Sequence, residues 1–167
     1  DHRDLHSFPT RRSSDLTRLL VIAALALGAA QALAAPFGTV FTANEREGSI
    51  SRIDLASGAV STPKVDISPH NVQVSPDGRW LLATGMPRAA SHQGHDMGAM
   101  GGRLLVYRVD DMDQPALSLD AGDHPAHVVT DSEGKQAFVT DSGAHVVRVV
   151  DLAAGKETGS IAAGRYP

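Results

Sequence analysis

The sequence predicts an all-β chain built from a repeated unit of four short strands. Two observations carry this. The stretch Pro69 to Gly85, PHNVQVSPDGRWLLATG, reads as strand, tight turn, strand, and the same phrase returns at Pro125 to Asp141, PAHVVTDSEGKQAFVTD. In the first copy Val72 and Val74 alternate with polar neighbours, the period of a half-buried strand. Ser75-Pro76-Asp77-Gly78 is turn chemistry: proline presets φ, and Asp and Gly close the turn. The second observation is spacing. Pro69, Pro125 and Pro167 open successive units 56 and 42 residues apart, and the 14 extra residues of the first interval fall in one insertion. Four short strands at a period near 42 are the signature of a propeller blade.

The elements follow in order. Phe37 to Asn44 matches the second strand of the unit, and Ser49 to Leu55 the third. Ala59 to Ile67 is read as a fourth strand leading into Pro69. The next unit runs from Pro69 through Leu81-Leu82-Ala83-Thr84, the insertion, Arg103 to Asp110 and a fourth strand over Pro115 to Ala121. Gly122-Asp123-His124-Pro125 opens the last unit. It continues through Phe138-Val139-Thr140-Asp141 and His145 to Leu152, then past Gly155 and Ile161 to Tyr166-Pro167.

The Ser75-Pro76-Asp77-Gly78 turn, the Phe138-Val139-Thr140-Asp141 strand, the Ile53-Asp54 and Val150-Asp151 endings and the Gly-x-x-Pro junctions resemble the YVTN-type β-propeller repeat of periplasmic YncE-like proteins. The layout is also similar to the haem d1-binding propeller of cytochrome cd1 nitrite reductase. The resemblance spans nearly all of Ala35 to Pro167. It implies a seven-bladed ring of four-stranded antiparallel blades with the first strand nearest the axis. About three blades are present, so the chain is expected to be a β-propeller fragment that leaves blade faces open.

Two segments precede the repeats. Asp1 to Leu16, DHRDLHSFPTRRSSDL, resembles the translation of a short-read sequencing adapter, so His2, His6 and the Arg11-Arg12 pair carry no functional weight. Thr17 to Ala34 has the outline of a secretory signal helix: Arg18, an apolar run from Leu19 to Ala30, and Ala32-Leu33-Ala34 before a cleavage point. It predicts a periplasmic or secreted protein, free of the membrane once the signal is cleaved; retention as an anchor is the alternative. Three of the 19 acidic and four of the 15 basic residues lie before Ala35, which leaves 16 and 11 in the exported part. That acidic excess, with no basic patch, argues against nucleic acid as a partner. The chain has no cysteine, so no disulfide framework or thiolate site is available in it.

Two places could carry chemistry. The insertion, residues 86–102, MPRAASHQGHDMGAMGG, puts His92, His95, Met97 and Met100 within nine residues on a Gly- and Ala-rich backbone. Imidazole suits Cu(II) or Zn, and thioether selects Cu(I), so copper is the expected ion. A solvated loop in which these residues fall together by chance is the other reading. The second place is the opening of the units. The resemblance implies that His70 and His127 face the central funnel, where related propellers hold haem or copper. They do not fall in one column, however: His70 matches Ala126, and Asn71 matches His127. His145 is expected to be exposed at the start of a strand. No Gly-x-Ser-x-Gly elbow, phosphate loop or CxxCH haem-attachment motif is present. The expectation is therefore an exported binding protein for a small ligand, a metal ion or a periplasmic protein, rather than an enzyme. A haem d1-type or lactonase-like propeller enzyme is the alternative.

Overall fold

The computed structural model describes residues 36–88 and 101–167. The signal segment and His92, His95, Met97 and Met100 lie outside the described residues. Three antiparallel sheets are formed. The first contains β1 (Thr39–Asn44), β2 (Ser49–Asp54) and β3 (Val60–Ser61). The second is ordered β4 (Ile67–Val74), β5 (Trp80–Pro87), β6 (Gly102–Arg108), β7 (Leu117–Gly122). The third has the same order with β8 (Pro125–Thr130), β9 (Gln136–Asp141), β10 (Val146–Asp151) and β11 (Lys156–Ala162). Among the described residues no helix is long and apolar enough to cross a membrane.

The turns explain why the units repeat. Gly78 and Gly134 hold φ values of 72° and 67° in the first turn of the second and third sheets, a region open to glycine at little cost. The N–H of Gly78 donates to the carbonyl of Ser75 at 2.8 Å, and that of Gly134 to the carbonyl of Asp131 at 3.1 Å. The side chains do equivalent work. The Ser75 hydroxyl accepts from the Trp80 N–H at 3.0 Å, and the Asp131 carboxylate accepts from the Lys135 N–H at 2.7 Å. At the other end, Asp54 accepts from the Ser57 N–H at 2.7 Å and Asp151 from the Ala154 N–H at 2.8 Å.

Two differences from the sequence reading have physical causes. The strand expected over Ala59 to Ile67 shrinks to Val60–Ser61, because Pro63 has no N–H to continue a ladder. Its carbonyl still accepts from the Ile50 N–H at 3.1 Å, so the segment stays against β2. Ile67 instead begins β4, which carries Pro69 inside it. Pro69 and Pro125 are tolerated because β4 and β8 are the edge strands of their sheets.

The middle sheet is buried on both faces. Leu81, Ala83, Leu105 and Tyr107 pack with Ile50 of the first sheet, with Val65 and with Ile67 at the start of β4. Leu82, Leu104 and Val106 pack with Val128, Val139 and Val150 of the third sheet. Strands apolar on both faces read as continuous runs, which is why WLLA and RLLVY lack alternation. Each of these Leu and Val side chains contributes about 1.5–3 kcal/mol through burial.

Candidate functional site

β4 and β8, the first strands of their sheets, run close together, and each is irregular at the same point. The register of β4 shifts between Pro69 and Asn71, and that of β8 between Pro125 and Val128. These bulges release backbone groups from the ladder and re-aim the side chains there. The N–H of His127 is taken by the Thr140 hydroxyl at 3.0 Å, and that of Val128 by the Asn71 side-chain oxygen at 3.0 Å.

His70 and His127 meet across this seam. Their rings stand edge to face, with centroids 5.7 Å apart. The two residues fall one column apart in an alignment, yet the seam between β4 and β8 brings them together. Nδ1 of His70 lies 2.9 Å from the carbonyl oxygen of Ala126. A carbonyl can only accept, so Nδ1 carries the proton, and Nε2 is the free nitrogen in the neutral ring. That is the arrangement by which a backbone carbonyl orients an imidazole toward a metal ion or a ligand proton. Both histidines are exposed. The pair supplies two donors; among the described residues no group of three or more His, Asp or Glu is placed to hold a metal ion. A metal there would complete its coordination from outside this set.

His145 is half-buried rather than exposed, and it sits just ahead of β10 in a left-handed conformation with φ of 59°. The same hairpin holds a buried charged group that the sequence analysis did not single out. The Asp141 carboxylate is fully buried and accepts from the Arg148 guanidinium at 2.7 and 2.9 Å. It also accepts from the N–H groups of Ala144 at 2.9 Å and Asp123 at 3.2 Å. Burial raises the pKa of this carboxyl, but the hydrogen bonds from Ala144, Arg148 and Asp123 and the charge of Arg148 outweigh it, so the group stays below the usual carboxylate range. Arg148 reaches on to Glu157 at 2.7 Å. Asn44 and Ser51 hold the same two positions of the first sheet, where the Asn44 amide donates to the Ser51 hydroxyl at 2.8 Å.

An apolar recess of about 430 Å³ opens elsewhere, between Trp80, Val106 and Leu117 on one side and Lys135 and Leu152 on the other. Trp80, Leu117 and Leu152 are the partly covered border of the core between the second and third sheets, which accounts for its apolar lining.

No family model and no curated protein matches the chain. Solved structures do. The hydrazine synthase of Kuenenia stuttgartiensis is similar with a TM-score of 0.61 and 24% identity, over 77% of this chain and 33% of that one. A putative 6-phosphogluconolactonase from Bacteroides fragilis NCTC 9343 gives 0.57 and 20%, over 76% and 36%. One from Bacteroides uniformis ATCC 8492 gives 0.58 and 17%, over 76% and 38%. The chain spans about a third of the length of each. At these identities the likeness is one of fold.

Proposed function

We propose that this chain is part of an exported β-propeller of the YVTN type, and that it binds a metal ion or a small ligand at the inner strands through His70 and His127. The observation that carries the reading is the edge-to-face pair at 5.7 Å with Nδ1 of His70 engaged by Ala126. Copper is the favoured ion, because imidazole nitrogens suit it and the tract of His92, His95, Met97 and Met100 has the composition of a copper-handling loop. Two four-stranded sheets in one order, with their first strands side by side, support the propeller reading.

The test is a titration of the full chain with Cu(II) and Zn(II), in a His2→Ala/His6→Ala background that removes N-terminal imidazoles. A His70→Ala/His127→Ala variant separates the pair from the tract, and a second variant replaces His92, His95, Met97 and Met100 by Ala. One binding event that survives in the tract variant and is lost in the pair variant is the expected result, whatever the tract itself takes up. Equal binding in the parent and the pair variant would refute the role of the pair.

A lactonase-like enzyme is the second reading. Its support is the fold likeness to two structures named as putative lactonases, which is analogy of fold and not of site. Hydrolysis of a sugar δ-lactone by the full chain, lost in the pair variant, would favour it; the buffer rate alone would dismiss it.

A further inference from the structure

Among the described residues, three residues other than glycine hold a left-handed backbone: His124 at φ of 53°, His145 at 59° and Tyr166 at 54°. All three line a single cleft of about 470 Å³, together with Asp123, Ser142 and Gly143. A left-handed conformation is costly for any side chain with a Cβ, and glycine is the default there. The equivalent hairpin of the first sheet uses glycine: Asn44 pairs with Ser49 as Asp141 pairs with Val146, so Gly48, at φ of 63°, stands where His145 stands. Strain that persists at several side chains facing one space points to a function for that space.

The contacts within the cleft fix its chemistry. The Asp123 carboxylate holds Nδ1 of His124, so that nitrogen carries a proton, and in the neutral ring Nε2 is the free one. The Tyr166 N–H donates a long hydrogen bond, 3.5 Å, to Nδ1 of His145, which puts the proton of the neutral ring on Nε2. The Ser142 hydroxyl donates to the Pro167 carbonyl at 3.2 Å and keeps its lone pairs. The Tyr166 ring is propped by the His145 ring at 70°, with centroids 5.5 Å apart, and stays 74% exposed. The cleft thus carries donors (the Nε2–H of the neutral His145 ring and the Tyr166 hydroxyl) and acceptors (Nε2 of the neutral His124 ring, the Ser142 hydroxyl and the Asp123 carboxylate) beside a supported aromatic ring.

That pattern selects among ligand classes. A free anion would meet the Asp123 carboxylate. A molecule bearing several hydroxyl groups, each both donor and acceptor, satisfies both kinds of partner and offers C–H groups to the aromatic ring. We propose that the cleft of Asp123, His124, Ser142, His145 and Tyr166 binds a small polyhydroxylated molecule of the sugar or sugar-alcohol class, independently of the His70–His127 pair.

The test follows the His and Tyr ring resonances of the full chain by NMR during titration with D-glucose, D-mannitol and inorganic phosphate. Saturable shifts of the His124, His145 and Tyr166 signals with either polyol, and none with phosphate, are expected. His145→Gly and Tyr166→Gly each remove a ligand contact and a strained backbone together. Both variants should keep or raise the unfolding midpoint while weakening polyol binding by about tenfold. A response to phosphate alone, no response to either polyol, or undiminished binding in both glycine variants would overturn the proposal.

Discussion

The side-chain oxygen of Asn71 accepts the backbone N–H of Val128 at 3.0 Å, joining the first strands of two sheets at the point where each leaves its own ladder. Val128 is buried, so its N–H has no water to turn to. Asn71→Leu should therefore cost about 1–3 kcal/mol, the penalty of an unsatisfied buried donor. Asn71→Asp keeps an acceptor and should recover most of it. Urea unfolding of the three proteins checks this; equal midpoints for Leu and Asp would mean that the bond carries no stability.

The Asp141–Arg148 pair invites a comparison built into the chain itself. Arg148→Ser strands a fully buried carboxylate and should destabilise by about 3 kcal/mol. Asp141→Asn/Arg148→Ser copies the Asn44–Ser51 pair of the first sheet and should lose less than Arg148→Ser alone. A double-mutant cycle by denaturant unfolding measures the coupling.

The same carboxyl sets an acid limb. Its folded pKa lies below that of the unfolded chain, about 3.9, so its contribution is fully present above about pH 5 and fades as pH falls through the folded value. Asp77 acts in the same direction, held at about 2 by the Ser75 hydroxyl first and then by the N–H and guanidinium of Arg79. Stability measured from pH 6 to pH 2 should decline, and the decline should be shallower in Asp141→Asn.

Tyr107 supplies an alkaline marker. Burial, and then the charge of Asp66, push its phenol up to about 12. The unfolded phenol ionises near 10, so this contribution to stability is full below about pH 10 and is lost as pH rises through the folded value. Absorbance titration should show a phenol ionising near 12 that Tyr107→Phe abolishes. Its absence in the parent would mean that the ring is solvated.

Leu82 is fully buried between the second and third sheets, whereas Val129 is 52% exposed. Leu82→Ala should cost about 2–5 kcal/mol through lost burial and a residual cavity. Val129→Ala should stay within about 0.5 kcal/mol. Thermal and denaturant melts of the pair test whether the core lies where the packing places it.

The turns were legible because their chemistry is local: Ser75-Pro76-Asp77-Gly78 and Asp131-Ser132-Glu133-Gly134 need only their own residues to close. The strand bounds around Pro63 and Ile67 were not, since a missing N–H and an edge position decide them, and edges belong to tertiary structure. The contact of His70 with His127 was hidden for the same reason. Column alignment compares positions that superpose, while a site forms between positions that adjoin. His124 and Tyr166 hold corresponding places in Gly122-Asp123-His124-Pro125 and Gly164-Arg165-Tyr166-Pro167, but nothing in either tetrapeptide announces a left-handed backbone. The Asp141–Arg148 pair was not legible, because the burial that makes it consequential comes from the packing of the sheets.

The middle sheet, covered on both faces, has a kinetic consequence. Coupling in such an array runs between nearest neighbours, so either flanking sheet can open while the other remains docked, but β5 and β6 cannot open without releasing both. Amide hydrogens along Leu81 to Thr84 and Leu104 to Tyr107 should therefore exchange with deuterium last, at the rate of global unfolding. Those of β2 and β10 should exchange through smaller, independent openings, so that each outer sheet reports its own lifetime while the middle one times the whole.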